Sequence, residues 1–181
     1  MNKAKQNSES TSGDSGNFLT TNLSGNRKIF ADAIAGKESG EWGYDAVNQG
    51  GTAGGTDIPQ GFFSGAFSSM PQHGGRKLTD LSIQEIFDLQ NDPGKNVISD
   101  AEWVKQGKLH AVGRYQFIGN TLKDEVTKMG LDLNTKFTPE VQDQIFFSHA
   151  KRIGNISPWI GPMQKYDQAK RDYLNSLIPT L

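Results

Sequence analysis

Between residues 41 and 77 the chain carries nine glycines, among them the pairs Gly50-Gly51, Gly54-Gly55 and Gly74-Gly75. A stretch this rich in residues that turn freely and lose the most entropy on ordering cannot hold a long helix. The flanks read differently: residues 26–40 spell one helix, and from Leu81 onward apolar residues recur at helical spacing in several separate runs. A glycine-rich lobe set into a helical chain predicts an α+β fold, with a mainly helical core, a small β or loop lobe and a cleft between them. At 181 residues the chain has the size of a single domain that buries roughly 70% of its unfolded surface.

The helix ahead of the lobe ends in an acid. Phe30 and Ile34 stand four apart with Ile29 and Ala33 beside them, and the next position on that apolar stripe is Glu38. A carboxyl there has two possible environments. Held half out of water, in the last turn before a C′ glycine at Gly40, its pKa rises through desolvation and the helix dipole, giving a proton donor near neutral pH. Swung into solvent, it is an ordinary surface acid, and periodicity alone does not choose.

Residues 1–24 are Asn, Ser, Thr, Gly and Lys with few sizeable apolar groups, and read as a flexible leader preceding one domain over 25–181. Within the lobe, 41–77, a hairpin is expected around Tyr44 to Val47, and Phe62, Phe63 and Phe67 must dock on either the core or a ligand. Ser82 with Glu85 forms a capping box, and Leu81 with Ile86 the matching staple, for a helix to Gln90. Ser99 and Glu102 open a helix over 100–106 anchored by Trp103 and stopped by Gly107. Residues 108–119 read as a turn region, after which Asn120 caps a helix bearing Leu122, Val126 and Met129 and closing at Gly130. Thr138-Pro139-Glu140 opens the expected central helix, lined by Val141, Ile145, Phe146 and Ile153 as far as Gly154. Pro162 starts a C-terminal helix with Met163, Tyr166, Tyr173, Leu174 and Leu177 inward, ended by Pro179.

Nineteen basic against twenty acidic residues leave a net charge of -1, which argues against nucleic acid or an anionic membrane as a general partner. No apolar run approaches the roughly 18 residues of a membrane helix, and the N-terminus has no signal-peptide core. With no cysteine, and with His73, His110 and His149 far apart and outside any ligand motif, the chain implies no metal. His149 reads as a satisfied buried imidazole. The glycine pairs lack a phosphate-loop lysine and serine, so no nucleotide cofactor is implied.

Lys37-Glu38-Ser39-Gly40, then Tyr44-Asp45-Ala46-Val47, then Ala111-Val112-Gly113-Arg114-Tyr115-Gln116-Phe117 together resemble the lysozyme-like superfamily of peptidoglycan-cleaving enzymes, most closely the bacteriophage-lambda type, a lytic transglycosylase. The resemblance spans roughly residues 27–155. It implies a lysozyme-like fold, no cofactor, and cleavage of the β-1,4 bond between N-acetylmuramic acid and N-acetylglucosamine, leaving a 1,6-anhydro end. It implies Glu38 as the catalytic acid and Tyr44, Tyr115, Gln116 and Ser39 along the sugar cleft.

Asp45 is either a second carboxylate, as a hydrolytic lysozyme needs, or structural, with Glu41 and Asp57 behind it. Gly113 allows close backbone approach, and Arg114 either pairs with an acid beneath the cleft or touches substrate. The segment from Gly61 to Gly75 departs from the family as an insertion. The implied partner is the glycan strand of the bacterial wall, met by an enzyme carried in a phage virion or held in the host cytoplasm until release. The leader is then a candidate attachment to virion tail or internal proteins. A non-catalytic virion or glycan-binding module of the same fold is the alternative from another class.

Overall fold

The computed structural model describes residues 23–50, 62–91 and 99–181. The fold is α+β and mostly helical. Its elements are α1 (Gly25–Glu38), β1 (Ala46–Asn48), β2 (Ser64–Ala66), α2 (Ile83–Gln90), α3 (Asp100–Lys105), β3 (Ala111–Val112), β4 (Phe117–Ile118), α4 (Gly119–Met129), α5 (Pro139–Ile153), α6 (Ile160–Met163) and α7 (Gln168–Leu177). The strands form one antiparallel sheet in the order β2-β1-β3-β4, with Ala46 opposite Ala66, Val47 opposite Val112 and Ala111 opposite Ile118.

The helix α5 is central. Thr138 accepts from the Val141 N–H at its N-terminus, Pro139 occupies the first turn, and Gly154 closes it at φ 75°. Its Phe146 is the hub of the core: Tyr115 stacks on it at 3.7 Å and 4°, and Phe30, Phe147 and Trp159 surround it with centroids at 5.4, 5.1 and 5.1 Å. Such pairs add about 0.5–1.5 kcal/mol each beyond area burial. On α4, Glu125 is wholly buried and ties α5 down by accepting from Arg152 and Ser148 and pairing with His149 Nδ1 at 3.0 Å. His149 is only half satisfied, since its Nε2 is buried with no partner among the described residues.

Several sequence expectations need correction. On α1 the buried side is Phe30, Ala31, Ile34 and Ala35, while Ile29, about 100° before Phe30, is 40% exposed. Tyr44 and Asp45 lie in a 3-10 turn over Gly40–Asp45 rather than in a hairpin, and the strand begins at Ala46. The stretch 108–119 holds the β3–β4 hairpin, and α4 starts at Gly119 with Asn120 inside its first turn instead of capping it. The C-terminal segment breaks into α6 and α7, because Asp167 accepts from the Lys170 N–H and starts a new helix; its Tyr173 is 43% exposed. The leader lies outside the described residues apart from Ser24 and Leu23, which packs on the core. Phe67 is fully buried and Phe63 packs against the core.

The docking of the β3–β4 hairpin depends on Gly113. It sits at φ 77°, and a Cβ there would lie 2.4 Å from Gln142 Oε1. Gly113→Ala should lower stability by about 2–5 kcal/mol, the sum of a left-handed backbone penalty and overpacking. Gly36→Ala, inside α1 with nothing within 4 Å of an added Cβ, should raise it by about 0.5–1 kcal/mol. Denaturant titration of both variants measures this, and a tolerated Gly113→Ala would contradict the described packing.

Candidate functional site

Glu38 closes α1, four residues after Ile34 and seven after Ala31, so it continues the buried face of the helix. Ser39 follows as the C-cap, its N–H bonded to Ala35 O at 2.9 Å, and Gly40 turns the chain at φ 55°. The carboxyl is half-buried, and burial raises its pKa from 4.5 to about 7. Among the described residues no hydrogen bond or salt bridge holds it. It is a carboxyl whose charge is penalised by desolvation and uncompensated by a partner, which keeps a large fraction protonated near neutral pH.

The turn after β3 is brought against the residues that follow Glu38. Gly113 N–H donates to Ala46 O at 2.7 Å, and Gln116 Nε2 donates to Gly113 O at 2.9 Å and to Ala46 O at 3.4 Å. Gln116 has φ 49°, the one positive value at a non-glycine among the described residues. Holding that conformation costs of order 1–3 kcal/mol, and such residues cluster at functional sites. Its amide nitrogen is committed, which leaves its oxygen as the acceptor it can offer.

Two residues not singled out by the sequence motifs hold this turn in place. Gln142 accepts from the Arg114 N–H at 2.9 Å and donates to Tyr44 O at 3.1 Å and Phe137 O at 3.0 Å. Asp143, 5% exposed, accepts from Tyr44 Oη at 2.9 Å and Tyr115 Oη at 2.5 Å. Burial, then the Asp143 charge, pushes the Tyr44 phenol up to about 12 and the Tyr115 phenol well above its ordinary range, so both remain donors. Arg114 pairs with Asp32 at 2.5 Å and donates to Tyr44 Oη at 2.7 Å. It is therefore an acid-pairing residue. The signal for Gln142 and Asp143 is their place next to Val141 on the core helix, polar where the pattern is apolar.

Two expected cleft residues are buried. Tyr115 is 1% exposed, stacked under Phe146 and bonded to Asp143, so it supports the turn from beneath. Ser39 is 2% exposed, and its hydroxyl donates to Ala35 O at 3.2 Å, turned back into α1 by the cap geometry. Tyr44 remains half-buried and lines a cavity of about 540 Å³ with Lys28, Asp32, Gly36, Ser39 and Arg114. Glu38 does not line that cavity.

Asp45 has both carboxylate oxygens engaged. Oδ2 accepts from Ser68 N–H at 3.1 Å and Ser68 Oγ at 2.6 Å, and Oδ1 accepts from Leu78 N–H at 2.6 Å. These bonds clamp the 62–80 segment to the start of β1. Glu41 is exposed, and Asp57 lies outside the described residues. The three histidines stay apart: His73 stacks on Phe67 at 4.3 Å, His149 pairs with Glu125, and His110 is exposed. No helix among the described residues is long and apolar enough to cross a membrane. Compared with protein-family models, curated proteins and solved structures, the chain matches none.

The raised pKa of Glu38 sets a pH dependence of stability. Between about 4.5 and 7 the folded state binds more protons than the unfolded state, so stability is gained as pH falls through that window and lost as it rises. Glu38→Gln removes the titration. Its stability relative to wild type should therefore increase from pH 5 to pH 8 by on the order of 1–3 kcal/mol. Denaturant midpoints at the two pH values read the difference, and parallel curves would place Glu38 in solvent.

Proposed function

We propose that this chain is a lysozyme-like peptidoglycan-cleaving enzyme, acting as a lytic transglycosylase with Glu38 as its acid. The observation that carries the reading is the Glu38 carboxyl: half-buried at the end of α1 and unpaired among the described residues, so that burial pushes its pKa up to about 7. Glycosidic cleavage needs such a group, protonated at working pH, to give its proton to the leaving oxygen. In hydrolytic lysozyme the general acid is a Glu whose pKa is raised by an apolar pocket, and burial is the same physical cause here.

The geometry of Asp45 favours transglycosylation over hydrolysis. Hydrolytic glycosidases use a second carboxylate as nucleophile or base, whereas Asp45 spends its oxygens on Ser68 and Leu78. In the reaction proposed, the 6-hydroxyl of the N-acetylmuramic acid attacks its own anomeric carbon. The bond to the N-acetylglucosamine oxygen breaks, Glu38 protonates that oxygen, and the carboxylate then takes the proton of the attacking hydroxyl. In this reading Gln116, whose amide nitrogen is committed to Gly113 O and Ala46 O, accepts through its oxygen from an acetamido N–H or a sugar hydroxyl.

Mass spectrometry of digested peptidoglycan tests the mechanism. The products should be muropeptides lighter by one water than hydrolysis products. Reducing-end sugars as the main product would support the hydrolytic reading instead, and Asp45→Asn would then be a severe lesion in activity rather than one of lobe stability.

A further inference from the structure

A second cavity, of about 770 Å³, opens between α2, α4 and the end of the β3–β4 hairpin, and none of its lining residues belongs to the Glu38 site. Its floor is apolar. Ile118 and Leu133, 44% and 39% exposed, are two of the five large hydrophobic side chains left open to solvent among the described residues, and both line it beside Phe87. Among the described residues its rim is rich in amides and balanced in charge: Asn91 and Asn120 offer both donors and acceptors, and the one acid, Asp88, is matched by the one lysine, Lys123.

Gln90, at the back of the cavity, is 7% exposed. Its Nε2 donates to His110 O at 3.0 Å and Phe117 O at 2.8 Å, which fixes the amide against flipping. The oxygen is left buried with no partner among the described residues. An acceptor held that way is costly, and it lies just beneath the cavity wall.

We propose that this cavity is a second glycan site, taking an N-acetylated sugar of the wall polymer. Such a sugar combines an apolar ring face, for Phe87, Ile118 and Leu133, with hydroxyls and an acetamido group, for Asn91 and Asn120. The balanced rim gives no basis for selecting a phosphate or a charged peptide. The choice of ligand rests on the proposed function; the cavity and the unpartnered oxygen do not. A site apart from the acid would hold the enzyme on a long strand between cleavages, since linked sites raise the effective concentration of each other's ligand.

The test uses the full chain carrying Glu38→Gln, so that binding is read without turnover, and tri-N-acetylchitotriose as the probe. In NMR titration the side-chain amide signals of Asn91 and Asn120 should shift on addition of the trisaccharide. Leu133→Glu, in the loop after α4, should weaken that response by about tenfold or more by placing a charge on the apolar floor, with Tm unchanged. Ile118→Glu is the second variant, on the edge strand. Shifts confined to other residues, or variants that bind as the parent does, would overturn the site. So would a free wall peptide that moves these signals where the trisaccharide does not. If the trisaccharide binds here while the wild-type chain leaves peptidoglycan uncut, the glycan site stands and the enzymatic reading fails.

Discussion

The buried carboxylate of Asp143 is the interaction on which the arrangement around the candidate site depends. It sits on the central helix at 5% exposure and gathers the hydroxyls of Tyr44 and Tyr115, with the Arg114 guanidinium 3.8 Å away. Hydrogen bonds to a charged group contribute about 1.5–3 kcal/mol each, and an unpaired carboxylate at that depth would be strongly destabilising. The chain from 40 to 48 and the turn from 113 to 116 are far apart in sequence, and both must be present to satisfy it. Gln142, its neighbour, completes the attachment through Tyr44 O and the Arg114 N–H. What looks in sequence like a row of cleft residues is in large part the apparatus that fixes the turn to α5.

The carboxyls of Asp45, Asp143 and Glu38 meet different surroundings. Asp45 accepts three hydrogen bonds and holds the lobe. Asp143 is buried among phenols and a guanidinium. Glu38 receives neither bonds nor a counter-charge among the described residues, and only desolvation acts on it. A proton donor arises when a carboxyl is denied the partners that stabilise its charge, and the helix end supplies that environment because Ser39 and Gly40 turn the chain away immediately after it.

Much of this is legible in the sequence because caps and helical periodicity act locally. The Ser82–Glu85 box, the Thr138-Pro139 start and the glycines at 40, 107, 130 and 154 all do in the structure what local rules require. Periodicity puts Glu38 on the apolar stripe of α1, and the half-buried environment it meets there is set by the packing. The strands are illegible because β3 and β4 are two residues each, too short for alternation to register, and are held by partners distant in sequence. Tyr115 escapes sequence reading for a related reason: an amphipathic aromatic serves equally as a sugar platform or a core member, and Phe146, which decides between them, is 31 residues away. The turn partners Gln142 and Asp143 carry a signal, polar residues on an apolar face, whose meaning depends on contacts that no local pattern contains.

The central claim is that Glu38 delivers a proton to a glycosidic oxygen, and the most direct measurement is the rate at which Glu38→Gln lyses purified peptidoglycan, with the fold checked by circular dichroism. The amide preserves shape and lacks the proton, so the rate should fall by roughly 100- to 10,000-fold while the fold is retained. Lysis at close to the wild-type rate by the folded variant would contradict it.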